Sequence, residues 1–183
     1  MILGEEQPDS GEIALPKNYK IGALKQYFDF TQNSLIDETA LALGEDDKYN
    51  IYKAEKILFG LGFSQEDLEK APKEFSGGYQ IRINLAKLLL TEPNMLLLDE
   101  PTNYLDILSI RWLKAFLKNF DGEVILITHD RDFMDSVCTH TMGIIRRNAY
   151  MIAGGTEKFY EQLASNEEHH EKQKIAQDKK IKE

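Results

Sequence analysis

Cysteine is nearly absent: Cys138 stands alone among 183 residues, which rules out an internal disulfide framework. Its neighbours Phe133, Met134 and Val137 give it an apolar helical setting, that of a small core residue. Long apolar runs are missing too. No stretch approaches the roughly 18 apolar residues of a membrane-spanning helix, and the longest, Met95–Leu98 and Val124–Ile127, suit buried strands. The N-terminus has neither the basic flank nor the apolar core of a secretory signal, so a cytoplasmic location is expected. Positive charge is in deficit. A formal net charge of -9 argues against a broad basic surface that wraps nucleic acid nonspecifically, and leaves docking through a local basic feature open. Internal repeats and low-complexity tracts are also lacking.

What is there is an ordinary globular composition, 42% hydrophobic and 29% charged, over a length that supports one well-buried core plus an appendage. The opening, Met1–Ile13, reads as a helix tail, then the turn Pro8-Asp9-Ser10-Gly11, then a strand over Glu12–Leu15. Tyr19–Leu24 reads as a second short strand. Ile51, Ala54, Ile57, Leu58 and Leu61 recur at helical spacing, and Leu61-Gly62-Phe63 closes that helix with a glycine stop. Ser76-Gly77-Gly78 opens another helix, with Ile81, Leu85, Leu88 and Leu89 as its apolar face. Met95–Leu98 is a strand. Asp106 is placed to cap a helix whose Trp112, Leu113, Phe116, Leu117 and Phe120 face inward. Val124–Thr128 is a further strand, and weaker ones are expected near Thr141–Arg146 and Tyr150–Ala153. Wholly apolar strands alternating with helices predict an α/β domain with a parallel sheet covered on both faces. A helical insertion occupies about 27–93, and from Glu157 onward the chain becomes a charged helix.

Four pieces carry candidate chemistry. Met95–Leu98 runs into Asp99-Glu100, which puts two carboxylates at the carboxyl edge of a parallel sheet, where α/β ligands bind. Asp99 can hold Mg²⁺, directly or through water, and Glu100 can polarise an attacking water. Alone, the hexapeptide also fits a simple turn start. Ser76-Gly77-Gly78 at a helix start offers amide donors to an anion, and is equally a common capped turn. His129, directly after the Val124–Thr128 strand, faces the same edge and can donate to a phosphate oxygen, or be structural. Gln26, also at a strand end, fits a surface amide as well as a site.

Taken together, the order is Gln26, Phe75-Ser76-Gly77-Gly78-Tyr79-Gln80, Leu98-Asp99-Glu100-Pro101-Thr102-Asn103-Tyr104-Leu105-Asp106, then Thr128-His129-Asp130. In this joint pattern the sequence resembles the ATP-binding cassette superfamily, and more narrowly its ABC-F branch, over nearly the whole chain. The resemblance implies an ABC-type P-loop NTPase domain with a mostly parallel sheet, a helical signature subdomain and a C-terminal linker helix. Gln26 then senses Mg²⁺ and the attacking water. Ser76, Gly77, Gly78 and Gln80 belong to the signature segment, which in the family contacts the γ-phosphate of ATP held by the opposite cassette. Asp99 corresponds to the Walker B aspartate, Glu100 to the catalytic glutamate and His129 to the switch histidine. Asp106 lies in the D-loop. Asn103-Tyr104-Leu105-Asp106 is closer to the Asn-His-Leu-Asp common in ABC-F proteins than to the transporter ending, with Tyr104 a departure. The span Tyr27–Phe75 is short for a branch that often inserts a helical arm there, so any arm is small.

No Gly-x-x-x-x-Gly-Lys-Ser/Thr occurs in the chain, so the loop that cradles the β- and γ-phosphates is not among these residues. The resemblance therefore implies a fragment: residues 1–156 a partial cassette, and 157–183 the start of the charged linker between two cassettes. Expected cofactors are ATP and Mg²⁺. Expected partners are a second cassette and the ribosome with its rRNA and tRNA, without a membrane. The fragment is expected to be an inactive ATPase alone and to self-associate through the sheet edge beside Val124–Thr128. The second reading is the ATPase subunit of a transporter with a membrane partner; a third is a catalytically idle assembly module.

Overall fold

The computed structural model describes residues 2–24, 29–47 and 49–166. They fall into two compact units, divided between His129 and Asp130.

Parallel pairing organises the first unit. Strand β1 (Ile21–Ala23) and strand β2 (Met95–Asp99) run side by side, with Ile21 opposite Met95. Strand β3 (Glu123–Ile127) lies on the other side of β2, with Met95 opposite Glu123 and Asp99 opposite Ile127. Leu96 and Leu98 are buried, as an apolar central strand requires. Coverage on both faces stops at β3, however, where Ile125 and Ile127 stand exposed. Two expectations for the opening fail. Residues 2–6 form turns and bends rather than a helix tail, and Glu12–Leu15 forms no strand. Ile13 and Leu15 are exposed, and an extended segment without a partner for its amides and carbonyls has no ladder to join.

Three helices build the span between β1 and β2: α1 (Leu35–Ala40), α2 (Ile51–Gly60) and α3 (Gly77–Leu90). Short 3₁₀ turns at Gln65–Asp67 and Pro72–Glu74 connect the last two. Helix α2 buries Ala54, Ile57 and Leu58 and stops as its glycine dictates. Gly62 takes a φ of +88°, its amide donates to Phe59 O at 3.1 Å, and the Phe63 amide donates to Leu58 O at 3.1 Å. Those two bonds form a Schellman closure, with buried Phe63 as its apolar seal. In α3 the buried set is Arg82, Ile83, Leu85, Ala86 and Leu88–Leu90, so Ile81 gives up its expected inward place to Arg82 and Ile83. The helix is enclosed over more than one apolar stripe.

Glu38, on α1, is wholly buried. Its carboxylate accepts the amides of Thr31 and Gln32 at 2.8 and 2.9 Å and the ammonium of Lys87 from α3. Helix α4 (Ile107–Lys118) follows β2 and buries Leu113 and Leu117, while Trp112, Phe116 and Phe120 stack along its flank at 5.3 and 6.4 Å. Gly60 of α2 lies against the Trp112 indole so closely that a Cβ there would sit 2.1 Å from it.

The second unit holds helix α5 (Arg131–Val137), capped by Asp130, and an antiparallel hairpin of β4 (His140–Ile145) and β5 (Asn148–Ala153). Arg146 and Arg147 make the two-residue turn, both at positive φ of 50° and 67°, which is the type I′ geometry that matches strand twist. Residues 156–166 are helical. Phe159 from that helix is buried under Gly143, where a Cβ would sit 2.5 Å from its ring, and Thr156 donates twice to Asp135 at 2.8 Å.

Candidate functional site

The parallel register delivers the acidic pair. Asp99 ends β2 opposite Ile127 of β3, so Glu100 and Thr128 leave the sheet side by side. The Glu100 amide donates to Ile127 O at 2.8 Å, and its backbone turns sharply through a φ of 45°. Left-handed backbone at a glutamate costs on the order of 1–3 kcal/mol and persists only where the surroundings enforce it. The turn lays the carboxylate beside the end of β3. Thr128 Oγ1 donates to Glu100 Oε2 at 3.4 Å, and His129 Nε2 stands 3.5 Å from Oε1 on a fully exposed ring.

Glu100 Oε1 is buried and accepts no hydrogen bond among the described residues. A buried carboxylate oxygen without a donor is an acceptor open to one. Asp99 is exposed next to it. Among the described residues no three carboxylate, histidine or cysteine side chains form a metal cage. Mg²⁺ needs none, since it takes one or two carboxylates with waters and phosphate oxygens. Asp99 and Glu100 therefore fit that ion. Asp99, Glu100 and His129 meet at one sheet edge, as the sequence predicts; Gln26 lies outside the described residues.

A second anion-ready feature begins α3. Ser76 precedes the helix in extended backbone and spends no side-chain hydrogen bond on capping. The first ladder bond runs from the Gln80 amide to Ser76 O at 2.9 Å, which leaves the amides of Gly77, Gly78 and Tyr79 outside the ladder. Nothing lies within 4 Å of a Cβ built on Gly77, so a ligand can approach its backbone closely. Phe63, Phe75 and Tyr79 brace this helix start, with edge-on contacts from Phe63 at 5.5 and 5.3 Å. Gln80, expected to face nucleotide, donates its side-chain amide to Phe75 O at 2.9 Å, a local brace.

Sequence reasoning missed the residue that connects these features. Arg82 is buried, and donates to Tyr104 O at 2.7 Å, to Leu61 O at 3.1 Å and to Asp106 Oδ2 at 3.0 Å, with its guanidinium 4.6 Å from the Tyr79 ring centroid. Asp106 caps α4 with its other oxygen, accepting the amides of Leu108 and Ser109 at 3.0 and 2.9 Å. The Ser109 amide, the largest influence, draws the Asp106 carboxyl below the ordinary carboxylate range; burial pushes it up, and the Arg82 guanidinium and the Ser109 hydroxyl add to the downward pull. The available signal was a lone arginine among the apolar residues of a helix, where the volume around it belongs to the core.

The protein-family model described as ABC transporter matches residues 1–103, more than half of the chain. The chain belongs to the ABC ATPase family. The cassette has curated relatives named as ABC transporter F family members. It is 42% identical to the probable ATP-binding protein YheS of Escherichia coli over 62% of this chain and 18% of that protein. The corresponding protein of Haemophilus influenzae is 40% identical over 90% of this chain and 31% of its own length. ABC transporter F family member 5 of Arabidopsis thaliana is 32% identical over 76% of this chain and 26% of its length. The cassette thus spans less than a third of each of these relatives. Among solved structures, the archaeal ribosome recycling factor in complex with a ribosomal stalk protein superposes with a TM-score of 0.65 at 22% identity, over 87% of this chain and 32% of that one. A putative metal-chelate type ABC transporter gives 0.61 at 21% identity, over 83% of this chain and 64% of that one. Both likenesses are of fold. Among the described residues, no helix is long and apolar enough to cross a membrane.

Proposed function

We propose that this chain is the ATP-binding and hydrolysing part of an ABC-F protein, from its first cassette and the start of its linker, and that the whole protein is a cytoplasmic, ribosome-associated translation factor. The observation that carries the catalytic reading is Glu100 Oε1, buried at the carboxyl edge of a parallel sheet with no donor of its own. An attacking water bound there gives up its proton toward Glu100 as it closes on the γ-phosphate. His129, exposed beside it, donates to a phosphate oxygen, and Gln26 orients the water. Asp99 would hold Mg²⁺ through water; the ion, when bound, neutralises phosphate charge. The free amides at Gly77 and Gly78, with Ser76, face the γ-phosphate of an ATP bound to a second cassette. The phosphate-cradling loop is not among these residues, and the edge of β3 that pairs with no strand among the described residues suits a further strand leading into it. Hence the chain alone binds ATP poorly.

The ribosomal part rests on the F-branch relatives, the Asn103–Asp106 segment and the charged helix that starts after Thr156. The second reading, a transporter ATPase with a membrane partner, draws on the solved transporter cassettes of the same fold. The test uses the complete reading frame that encodes this chain. Glu100→Gln should lower ATP turnover by about 100-fold or more and should pellet with ribosomes only when MgATP is present. If the unmutated protein hydrolyses ATP and the variant stays in the supernatant, the ribosomal reading falls and the membrane partner takes its place.

A further inference from the structure

We propose that Arg146-Arg147, the turn between β4 and β5, is a phosphate-contacting tip that docks on the backbone of structured RNA. The inference lies outside the ATPase site; it rests on the ribosomal reading above for the choice of RNA, and gives that reading a point of contact. The residue choice at the turn makes the case. Both central residues take left-handed backbone, at φ of 50° and 67°, and the Ile145–Asn148 pair closes the loop at two residues. Any residue with a Cβ is disfavoured there, and Asn-Gly or Asp-Gly is the pair that this turn prefers. Arginine at both positions forgoes that stability and leaves two exposed guanidinium side chains on adjacent residues.

Charge is distributed to match. The chain carries 31 acidic residues against 22 lysines and arginines, yet residues 136–156 contain no Asp or Glu, the longest acid-free stretch in the sequence. Arg146 and Arg147 are the only lysines or arginines within it, and the only adjacent basic pair among the described residues. A positive point on an acidic molecule gives contact with a polyanion a fixed orientation. The hairpin also holds its tip rigidly. Six cross-strand pairs run from His140–Ala153 to Ile145–Asn148, Thr141 Oγ1 donates to Gly154 O at 2.8 Å, and the Phe159 ring packs under Gly143. Guanidinium groups fork to phosphate oxygens, and such contacts position a protein on nucleic acid without reading its bases. A membrane surface fits less well. Electrostatic anchoring to acidic lipid takes clusters of about 4–8 basic residues, and this tip has two.

The experiment uses the complete reading frame that encodes this chain. One double variant carries Arg146→Asn with Arg147→Gly; a second carries Arg146→Lys with Arg147→Lys as the charge control. Binding to a short labelled RNA duplex is followed by fluorescence anisotropy over a range of salt, beside the melting temperature. The first variant should bind about 10-fold or more weakly at low salt, and the slope of log Kd on log salt should fall by about 2. Its melting temperature should equal or exceed that of the parent, because the turn then has its preferred residues. A turn of purely structural value does not lose binding while keeping its stability. The lysine variant should stay within about 5-fold of the parent, since it keeps both charges and loses only the forked geometry. Unchanged affinity and salt slope in the first variant overturn the proposal, as does a lower melting temperature that accounts for the lost binding. Tip-dependent binding to phosphatidylserine vesicles, with none to the duplex, overturns it in favour of a membrane surface. A parent that binds the duplex through the tip yet never pellets with ribosomes removes the ribosomal reading and leaves the RNA contact standing. Pelleting that the first variant matches, with an unchanged salt slope, removes this inference alone.

Discussion

Glu38 has no bulk water to turn to: its carboxylate is enclosed, and its charge is met by two backbone amides and the Lys87 ammonium. Burial by itself pushes that carboxyl up, but the bonds from Lys87, Gln32 and Thr31, with the Lys87 charge, outweigh it and hold the group below its ordinary range. Protonation therefore favours the unfolded chain. The contribution of Glu38 to stability is complete above the unfolded carboxyl's range, near 4.5, and is lost as pH falls through the lower folded value. Glu38→Gln should cost about 1–3 kcal/mol near neutrality, since it removes the charge that meets the partly exposed Lys87 ammonium and leaves an enclosed polar cluster imperfectly paired. Urea titrations from neutral to acid pH should show parent and variant converging; a constant gap across that range would refute the assignment. Glu38 and Lys87 were not legible in the sequence, because residues 49 apart become partners only once α1 packs on α3. Asp99, Glu100 and His129 were legible, because each directly follows an apolar run whose end fixes its place on the sheet edge.

At the scale of elements, α2 and α4 meet through a glycine. Gly60 lets the Trp112 indole approach the α2 backbone, and a Cβ there would lie 2.1 Å from the ring. Helix propensity alone says that Gly60→Ala stabilises by about 0.5–1 kcal/mol. Packing says the reverse, because a methyl group in that space displaces Trp112 and the stack behind it, at about 1–3 kcal/mol. The packing term is the larger, so the urea midpoint of Gly60→Ala should fall; an unchanged or raised midpoint would mean the indole is free to move. The neighbouring Gly62 stop and the Asp106 cap were readable in advance, because both are local backbone chemistry with fixed residue demands. Glu12–Leu15 was misjudged for the converse reason. Its alternation of side chains suits a strand, but strand identity depends on a partner that local pattern does not supply. Ile81 lost its place to Arg82 in the same way, through neighbours that enclose α3 on several sides.

For the whole molecule, the exposed β3 is the weak point. Among the described residues it pairs only with β2, and its other edge carries open amides and carbonyls beside exposed Ile125 and Ile127. Such an edge recruits strands from other copies. The chain as given should therefore associate with itself as concentration rises in sedimentation experiments. Ile125→Lys should suppress that by about 10-fold or more in the association constant, by placing a charge on the pairing face. Association that persists unchanged in the lysine variant would locate the contact elsewhere. The strands at Met95–Leu98 and Val124–Thr128 followed from their apolar runs, whereas their order in the sheet and the division into two units at His129 had no counterpart in the pattern of the sequence.

Arg82 grips Leu61 and Tyr104 by their carbonyl oxygens and Asp106 by its side chain. A carbonyl is the same whatever residue bears it. Drift at positions 61 and 104 therefore leaves the hydrogen bonds intact, and the tyrosine found where the branch commonly has histidine costs the arrangement nothing. Heritable change reaches this joint through the side chains at 82 and 106, and through Gly62, where a Cβ would lie 3.0 Å from Arg82 Nη1 and 3.2 Å from Asp106 Oδ2.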